Sequence, residues 1–453
     1  MTILSYFRGS PRQTQTEILT TLHDNWTDYD VFVVQAPVAT GKSRIAVAIS
    51  DWVNGQGRSS AILTPNNLLA NQYANEFSHL DLLHKRTSYR NRDAYATAFS
   101  TFQASNQVLS NYWIPLAHRI TKDVFIYDEA HNLIEQGGAP IKLWQHLFDW
   151  PDTLRDTTDL QEWVETASYE QNNRNLQIEK VKRILDKDDG NVVIEFDQEE
   201  YRGSIRRVLK LTPLSCRGDK PVFWPRRVRK LILMSATINE FDIYNLGLDK
   251  KRILYIECDS EIPAANRPVV PLDIAPLNID NIMYTLPKIA TEIERILDVH
   301  PTKGIIHCTY ELANRLRDLL GSHPRLRWHG HADRTSVYDQ FVSGSLGDDA
   351  VLIACGMSEG VDLAYSKARW QIITKIPYRS LADSKVRENC KQNPHLYGWW
   401  AIRTVMQATG RVCRSPDDYG VTYILDSNFR RLLREYPKLW PRYYMHSIVD
   451  KLK

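Results

Sequence analysis

Arg411 and Arg414 stand three residues apart in the stretch QATGRVCRS, residues 407–415. Far upstream, residues 36–43 read APVATGKS. There Gly41, Lys42 and Ser43 complete the pattern G-x-x-x-x-G-K-[ST], with Ala36 in place of its first glycine. Such a turn aims backbone N–H groups at phosphate oxygens from the start of a helix. Lys42 is then expected at the β- and γ-phosphates of ATP, and the Ser43 hydroxyl on Mg2+. Asp128-Glu129-Ala130-His131 follows the apolar run VFIY. Asp128 suits the metal, directly or through water, and Glu129 suits orienting or deprotonating an attacking water. Arginines that meet a departing γ-phosphoryl group are worth about 10³–10⁵ in rate. Gln407, Arg411 and Arg414 fall at i, i+4 and i+7, the spacing of one helical face. The expected chemistry is ATP hydrolysis with groups drawn from two distant parts of one chain and coupled to their relative motion. Each motif has a plainer reading: a surface G-K-S turn, a helix cap, two solvated arginines. Their occurrence together weakens all three.

These residues need parallel strands behind them. VFVVQA (31–36), AILTP (61–65), VFIYDEA (124–130) and KLILMSAT (230–237) are short, β-rich apolar runs. Runs of that kind are strands buried on both faces. SRIAVAISDWV (43–53) has the apolar spacing of a helix packed on a sheet. GIIHCTY (304–310), AVLIACG (350–356), WQIITKIP (370–377) and GVTYILD (420–426) repeat the theme. Alternating strands and helices predict α/β layers, and two such stretches predict two lobes. The expected first lobe is 1–132 with 230–256, and the second is 257–453. The join is placed in the proline-bearing segment 257–276. Residues 133–229 break the pattern with charge, tryptophan and amides, and are expected to form a mostly helical insertion in the first lobe. NVVIEF (191–196) is a candidate short strand there. A disordered acidic linker is the alternative, opposed by the tryptophans and leucines.

With 453 residues the chain is too long for one ordinary core. Its formal net charge of +3 confines any nucleic-acid surface to a local stripe. Its six cysteines form no C-x-x-C pair, which argues against a disulfide framework or zinc site and for a reducing compartment. No run approaches the ~18 apolar residues of a membrane span, and MTILSYFRGSPRQ lacks the apolar core of a signal peptide. A soluble cytoplasmic protein without membrane contact is expected.

The motif series resembles superfamily 2 helicases, and within them the DinG/XPD group. APVATGKS is followed in order by ILTPNNLLANQ (62–72), LSNYWIPL (109–116), YDEAHNL (127–133), MSATI (234–238), GIIHCTY, GMSEGVDL (356–363) and QATGRVCRSPDDYGV (407–421). DEAH followed by Asn132-Leu133, the upstream S-N-Y, E-G-V-D-L, and Arg414 followed by Asp417-Asp418-Tyr419-Gly420 distinguish this group from DEAH-box RNA helicases. The resemblance covers nearly the whole chain outside the insertion.

It implies two RecA-like lobes, ATP and Mg2+ as cofactors, and 5′→3′ translocation on single-stranded DNA. Pro11–Gln15 resembles the family's R-P-x-Q segment, which makes Gln15 the adenine reader. Ser235 and Thr237, with His131, would couple hydrolysis to motion. Glu359, Gly360 and Asp362 would join the lobe interface near the nucleotide. Thr64, Asn111, Thr309 and Ser358 would lie along the nucleic-acid track. The residues add Tyr112 and Trp113 as stacking candidates, and Lys85, Arg86, Arg90 and Arg92 as phosphate contacts. Arg226, Arg227, Arg229 and Lys230 form a second basic cluster beside Phe223 and Trp224. Any one of these basic residues could equally be a solvated surface charge.

Two departures from the family matter. Between Thr64 and Asp128 there is no cysteine, and an iron–sulfur cluster needs thiolates, so none is expected. The arch-like insertion is small, with LKLTPLS (209–215) as its return to the core. The expected activity is that of an ATP-dependent DNA helicase or single-strand translocase, monomeric, acting on single-stranded or forked DNA beside replication, repair or recombination proteins. The alternatives are an ATP-switched DNA-binding or recruitment factor and an RNA helicase.

Overall fold

The structure is a computed structural model. It describes residues 1–83, 99–112, 121–137, 140–167, 172–185, 192–216, 228–278, 281–357 and 363–450. The chain divides into two compact units: 1–35, 42–257 and 380–393 in the first, 36–41, 258–379 and 394–453 in the second. Among the described residues no helix is long and apolar enough to cross a membrane.

The first unit is built on a parallel sheet of seven strands among the described residues. They are β1 (Val31–Gln35), β2 (Ser60–Thr64), β3 (Asp81–Leu83), β4 (Gln107–Asn111), β5 (Val124–Asp128), β9 (Lys230–Ser235) and β10 (Ile253–Glu257). Their order is β10-β1-β9-β5-β2-β4-β3. Every residue of β2 and β5 is buried, which is why these strands read as unbroken apolar runs. β1, β9 and β5 are neighbours, with Gln35 opposite Ser235 and Met234 opposite Asp128. The C-terminal ends of three adjacent strands therefore deliver the phosphate loop, Asp128 and Ser235 to one edge, where open α/β sheets bind ligands.

Beside the helices expected of it, the insertion carries a sheet that the sequence showed only in part. It holds β6 (Ile141–Trp144), β7 (Val192–Tyr201) and β8 (Ser204–Pro213) in an antiparallel sheet of order β6-β8-β7. Residues 192–196 of NVVIEF thus open a ten-residue strand, and LKLTPLS lies largely within its partner. The cause is local. Arg202 and Gly203 both take positive φ, 50° and 82°, the requirement of a type I′ turn, which closes a tight hairpin. One face of the sheet packs on the helices Thr157–Thr166 and Asn172–Leu185 through Leu143, Leu209, Leu211, Leu160 and Val181. The helix Ser384–Gln392, from the other half of the sequence, also lies against this sheet, with the Ser384 hydroxyl donating to Glu195.

The second unit carries β11 (Val269–Ala275), β12 (Gly304–Cys308), β13 (Leu326–Arg327), β14 (Val351–Cys355), β15 (Trp370–Ile373) and β16 (Val421–Asp426). The order is β11-β16-β15-β12-β14-β13, with parallel pairing. β11 contains Pro271, which read as linker in the sequence. Its strand partner is β16, with a single bridge from Val269 to Ile448 on the other side ahead of Pro271, and its register shifts after Pro271, as a position with an open side allows for a residue with no N–H.

Candidate nucleotide and nucleic-acid site

The phosphate loop needs unusual backbone at two places. Gly41 has φ 75° and Ala39 φ 69°. Ala36 is not among the residues of positive φ, so a methyl group there strains nothing although it replaces a glycine of the pattern. Lys42 opens the helix Lys42–Gly55 and is buried, while Ser43 is half-buried beside it. Ile45, Ala46, Ile49 and Val53 anchor that helix in the core.

Asp128 ends β5 with 5% exposure. Burial and the adjacent Glu129 push its carboxyl up to about 6, while Lys42 and a hydrogen bond from Tyr73 oppose the rise. The Tyr73 hydroxyl donates to Asp128 Oδ2 at 2.7 Å. Burial, then the Asp128 charge, hold that phenol well above its ordinary value, so it remains a donor. Tyr73 had no signal beyond its place one helix turn after TPNNLL.

Glu129 sits in the left-handed region with φ 51°, which costs a side-chain-bearing residue roughly 1–2 kcal/mol. Three contacts hold the strained turn. The Tyr112 hydroxyl donates to Asp128 O and to Glu129 O, the latter at 3.0 Å, and Asn132 Nδ2 donates to Glu129 O at 3.2 Å. His131 Nδ1 lies 2.7 Å from Ser235 Oγ and 3.4 Å from Glu129 Oε2. Ser235 Oγ in turn accepts from Thr237 N at 3.0 Å. Gln15 is 3% exposed, and its Oε1 accepts from Arg12 N at 2.9 Å.

Several expected nucleic-acid contacts sit differently. Tyr112 is fully buried, so its ring offers no face to a base; it supports the Asp128–Glu129 turn instead. The Thr64 hydroxyl is buried and bonded to Asn66 O at 2.9 Å. Asn111 is 8% exposed and donates to Asn67 Oδ1 at 2.7 Å. Thr309 is exposed and caps the helix Tyr310–Leu320, accepting from Leu312 N. In the second basic cluster, Arg229 pairs with Asp123 at 3.4 Å, and Lys230 starts a central strand with its ammonium on Tyr29 O. Lys85, Arg86, Arg90, Arg92, Trp113, Phe223, Trp224, Arg226, Arg227, Ser358, Glu359, Gly360 and Asp362 lie outside the described residues.

The arginine segment also differs from expectation. The helix His395–Thr409 includes Gln407 but ends before Arg411 and Arg414, so the three do not share a helical face. Residues 410–415 form an irregular turn after the Gly410 cap. Asp418, fully buried, organises it. Its Oδ2 accepts from Arg414 N at 3.2 Å and Tyr365 N at 3.0 Å, and its Oδ1 from Arg369 Nη1 at 2.6 Å and Tyr419 N at 2.8 Å. The spacing Arg414-x-x-x-Asp418 was its only signal. A Cβ on Gly420 would lie 2.7 Å from Val412 Cγ2, so only glycine lets β16 begin this close to the turn. Nearby, His307 on β12 bonds Gln371 Oε1 at 3.1 Å. Its imidazole is pushed down to about 4, mainly by burial and further by the Arg411 charge.

Two family models match the chain: "Type III restriction enzyme, res subunit" over residues 8–192, and "Helicase C-terminal domain" over residues 293–444. A relative in Caenorhabditis elegans, "Regulator of telomere elongation helicase 1 homolog", is 24% identical over 273 residues, 49% of this chain and 27% of that protein. The fold matches "Structure of S. tokodaii Xpd4" with TM-score 0.58 at 15% identity, covering 94% of this chain and 98% of that one. The chain is thus similar to helicases in its C-terminal part and shares the fold of an XPD-type structure. A second structure of that type, "XPD_Helicase", gives TM-score 0.62 at 12% identity over 95% of this chain and 99% of that one. These likenesses are of fold. A Drosophila willistoni protein of the same name as the nematode one is 40% identical over 87 residues, 16% of this chain and 9% of that protein. The chain thus spans about a quarter or less of the curated relatives' own length.

Proposed function

We propose that the chain is an ATP-hydrolysing DNA helicase or translocase that moves 5′→3′ on single-stranded DNA. The observation that carries this reading is the assembly at the ends of β1, β5 and β9: Lys42 within electrostatic reach of buried Asp128, and the His131–Ser235 link beside them. The residues fit the cofactors. A serine hydroxyl and a carboxylate are the oxygen donors Mg2+ prefers, and two positive-φ residues shape the loop as a phosphate cradle. Ser43 and Asp128 would hold Mg2+, which supplies charge neutralisation at the phosphates when bound.

Lys42 binds the terminal phosphates and Gln15 orients the adenine. Glu129, held by Tyr112, takes a proton from the attacking water. Arg411 and Arg414, with Gln407, meet the charge that develops on the leaving side. His131, Ser235 and Thr237 pass the state of the nucleotide to the motor step. Gly360 and Asp362 complete the nucleotide contacts. Thr309 and Ser358 remain the track candidates, with Lys85, Arg86, Arg90 and Arg92 as phosphate contacts. Repair, replication or recombination proteins are the partners this reading implies.

Forked duplexes with a 5′ or a 3′ tail test it. ATP-dependent displacement on the 5′-tailed fork is expected. Displacement only from a 3′ tail overturns the polarity, and RNA-only stimulation of hydrolysis overturns the substrate.

A further inference from the structure

The sheet of the insertion has two unlike faces. Strand register sets Trp144 opposite Val208, Arg206 opposite Glu199 and Tyr201 opposite Ser204. Paired residues share a face, so Trp144, Tyr201 and Arg206 lie on the side away from the helix-packed core. At one end of this face, Glu195 is taken by Ser384. Along its middle, Lys142 bonds Glu199, and Lys210 bonds both Asp197 and Glu199, the latter at 2.7 Å. Those charges satisfy one another.

The hairpin tip is different. The rings of Trp144 and Tyr201 are 4.7 Å apart at 46°, and His146 lies 5.0 Å from Tyr201 at 61°. The Arg202 guanidinium is 5.5 Å from the centre of the Tyr201 ring. Trp144 and Tyr201 are half-buried, while His146, Arg202 and Arg206 are exposed. Neither Arg202 nor Arg206 forms an ion pair among the described residues. On this face Asp197 and Glu199 are already paired with lysines, and the exposed Glu200 falls on the opposite face, across from Ile205, so this face carries a local positive surplus at its tip beside partly open aromatic rings. A polyanion answers the surplus, and flat rings on that polyanion answer the aromatic faces. Single-stranded nucleic acid has both, whereas a duplex hides its bases.

We infer that the hairpin tip is a separate single-strand contact, with unpaired bases stacking on Trp144 and Tyr201 and phosphates meeting Arg202 and Arg206. This rests on the reading of the chain as a DNA motor and adds a site outside its ATP machinery.

The test uses the full chain and measures affinity, without ATP, for oligothymidylate, an abasic strand of the same length and oligouridylate. Tyr201→Leu should weaken oligothymidylate binding about tenfold, the order of one base–aromatic stack, and leave the abasic strand unaffected. Arg202→Ala with Arg206→Ala should weaken both DNA strands and flatten the salt dependence by about 0.7 per lost phosphate contact. The arginine pair is exposed, so that variant tests the site even if Tyr201→Leu misfolds. Wild-type binding with both variants unchanged overturns the inference alone. A wild-type chain that binds no strand and shows no strand-stimulated ATPase overturns the motor reading and the inference with it. Preference for oligouridylate that vanishes in Tyr201→Leu keeps the site and changes its strand to RNA.

Discussion

His131 Nδ1 and Ser235 Oγ lie 2.7 Å apart across 104 residues of sequence. The contact ties the segment after β5 to the end of β9, and Ser235 also accepts the backbone N–H of Thr237. A shift of Glu129, 3.4 Å from the same imidazole nitrogen, therefore reaches the Ser235–Thr237 turn through one side chain. Ser235→Ala should leave ATPase within about threefold of wild type while strand displacement falls more than about tenfold. Parallel ATPase and fork assays read this split. Equal losses in both would make Ser235 a part of the hydrolytic site instead.

Glu129 and Lys42 should separate binding from chemistry. Glu129→Ala is expected to bind ATP but not turn it over, because it removes only the water-activating carboxylate. Lys42→Ala should lose turnover as well, through lost phosphate contact. Equilibrium binding of a labelled ATP analogue, set beside steady-state hydrolysis, checks both. Near-wild-type turnover in either contradicts the assigned roles.

Tyr112→Phe tests the support of the strained turn. It removes the hydroxyl bonded to Asp128 O and Glu129 O and keeps the buried ring. The expected cost is about 1–3 kcal/mol of stability, with kcat lowered and the KM for ATP little changed. Denaturant titration and ATP saturation curves measure the two effects.

Asp418 holds the arginine turn through four hydrogen bonds. Asp418→Ala leaves Arg369 without its fully buried partner, at a cost of about 3 kcal/mol. It should also lower turnover in the direction of Arg414→Ala, whose own loss should reach about 10³. Asp418→Asn, which keeps part of the hydrogen bonding, should fall between wild type and alanine in both readouts.

The motifs were legible because strand buried on both faces reads as an apolar run, and each such run ended in a chemically distinctive turn. β5 into Asp128 and β9 into Ser235 are the clearest cases. What the sequence hid had physical causes. β11 carries a proline that suits both an edge strand and a linker. The hairpin β7–β8 mixes charge into its alternation because one face bears ion pairs, so beyond NVVIEF it gave no strand signal. Tyr112 follows Asn111 in a motif associated with nucleic acid, yet burial turns its hydroxyl to the Asp128 carbonyl. The helical spacing of Gln407, Arg411 and Arg414 failed because Gly410 caps the helix between them.

His307 gives a pH signature. Its ordinary value is 6.5, and burial holds it near 4 in the fold. Above about pH 6.5 the imidazole is neutral in both folded and unfolded chains and contributes no pH dependence. As pH falls below that, the unfolded chain takes the proton first, so stability drops until about pH 4 and then levels. The contribution is up to about 3 kcal/mol. His307→Gln can still donate to Gln371, and its Tm should fall less steeply than wild type between those limits. Parallel slopes in the two proteins would refute the assignment.

The central claim is tested most directly by the steady-state ATPase rate with single-stranded DNA, duplex DNA and RNA measured side by side. The prediction is that single-stranded DNA stimulates most and that Lys42→Ala is silent with every strand. A rate indifferent to single-stranded DNA, or raised by RNA alone, would contradict it.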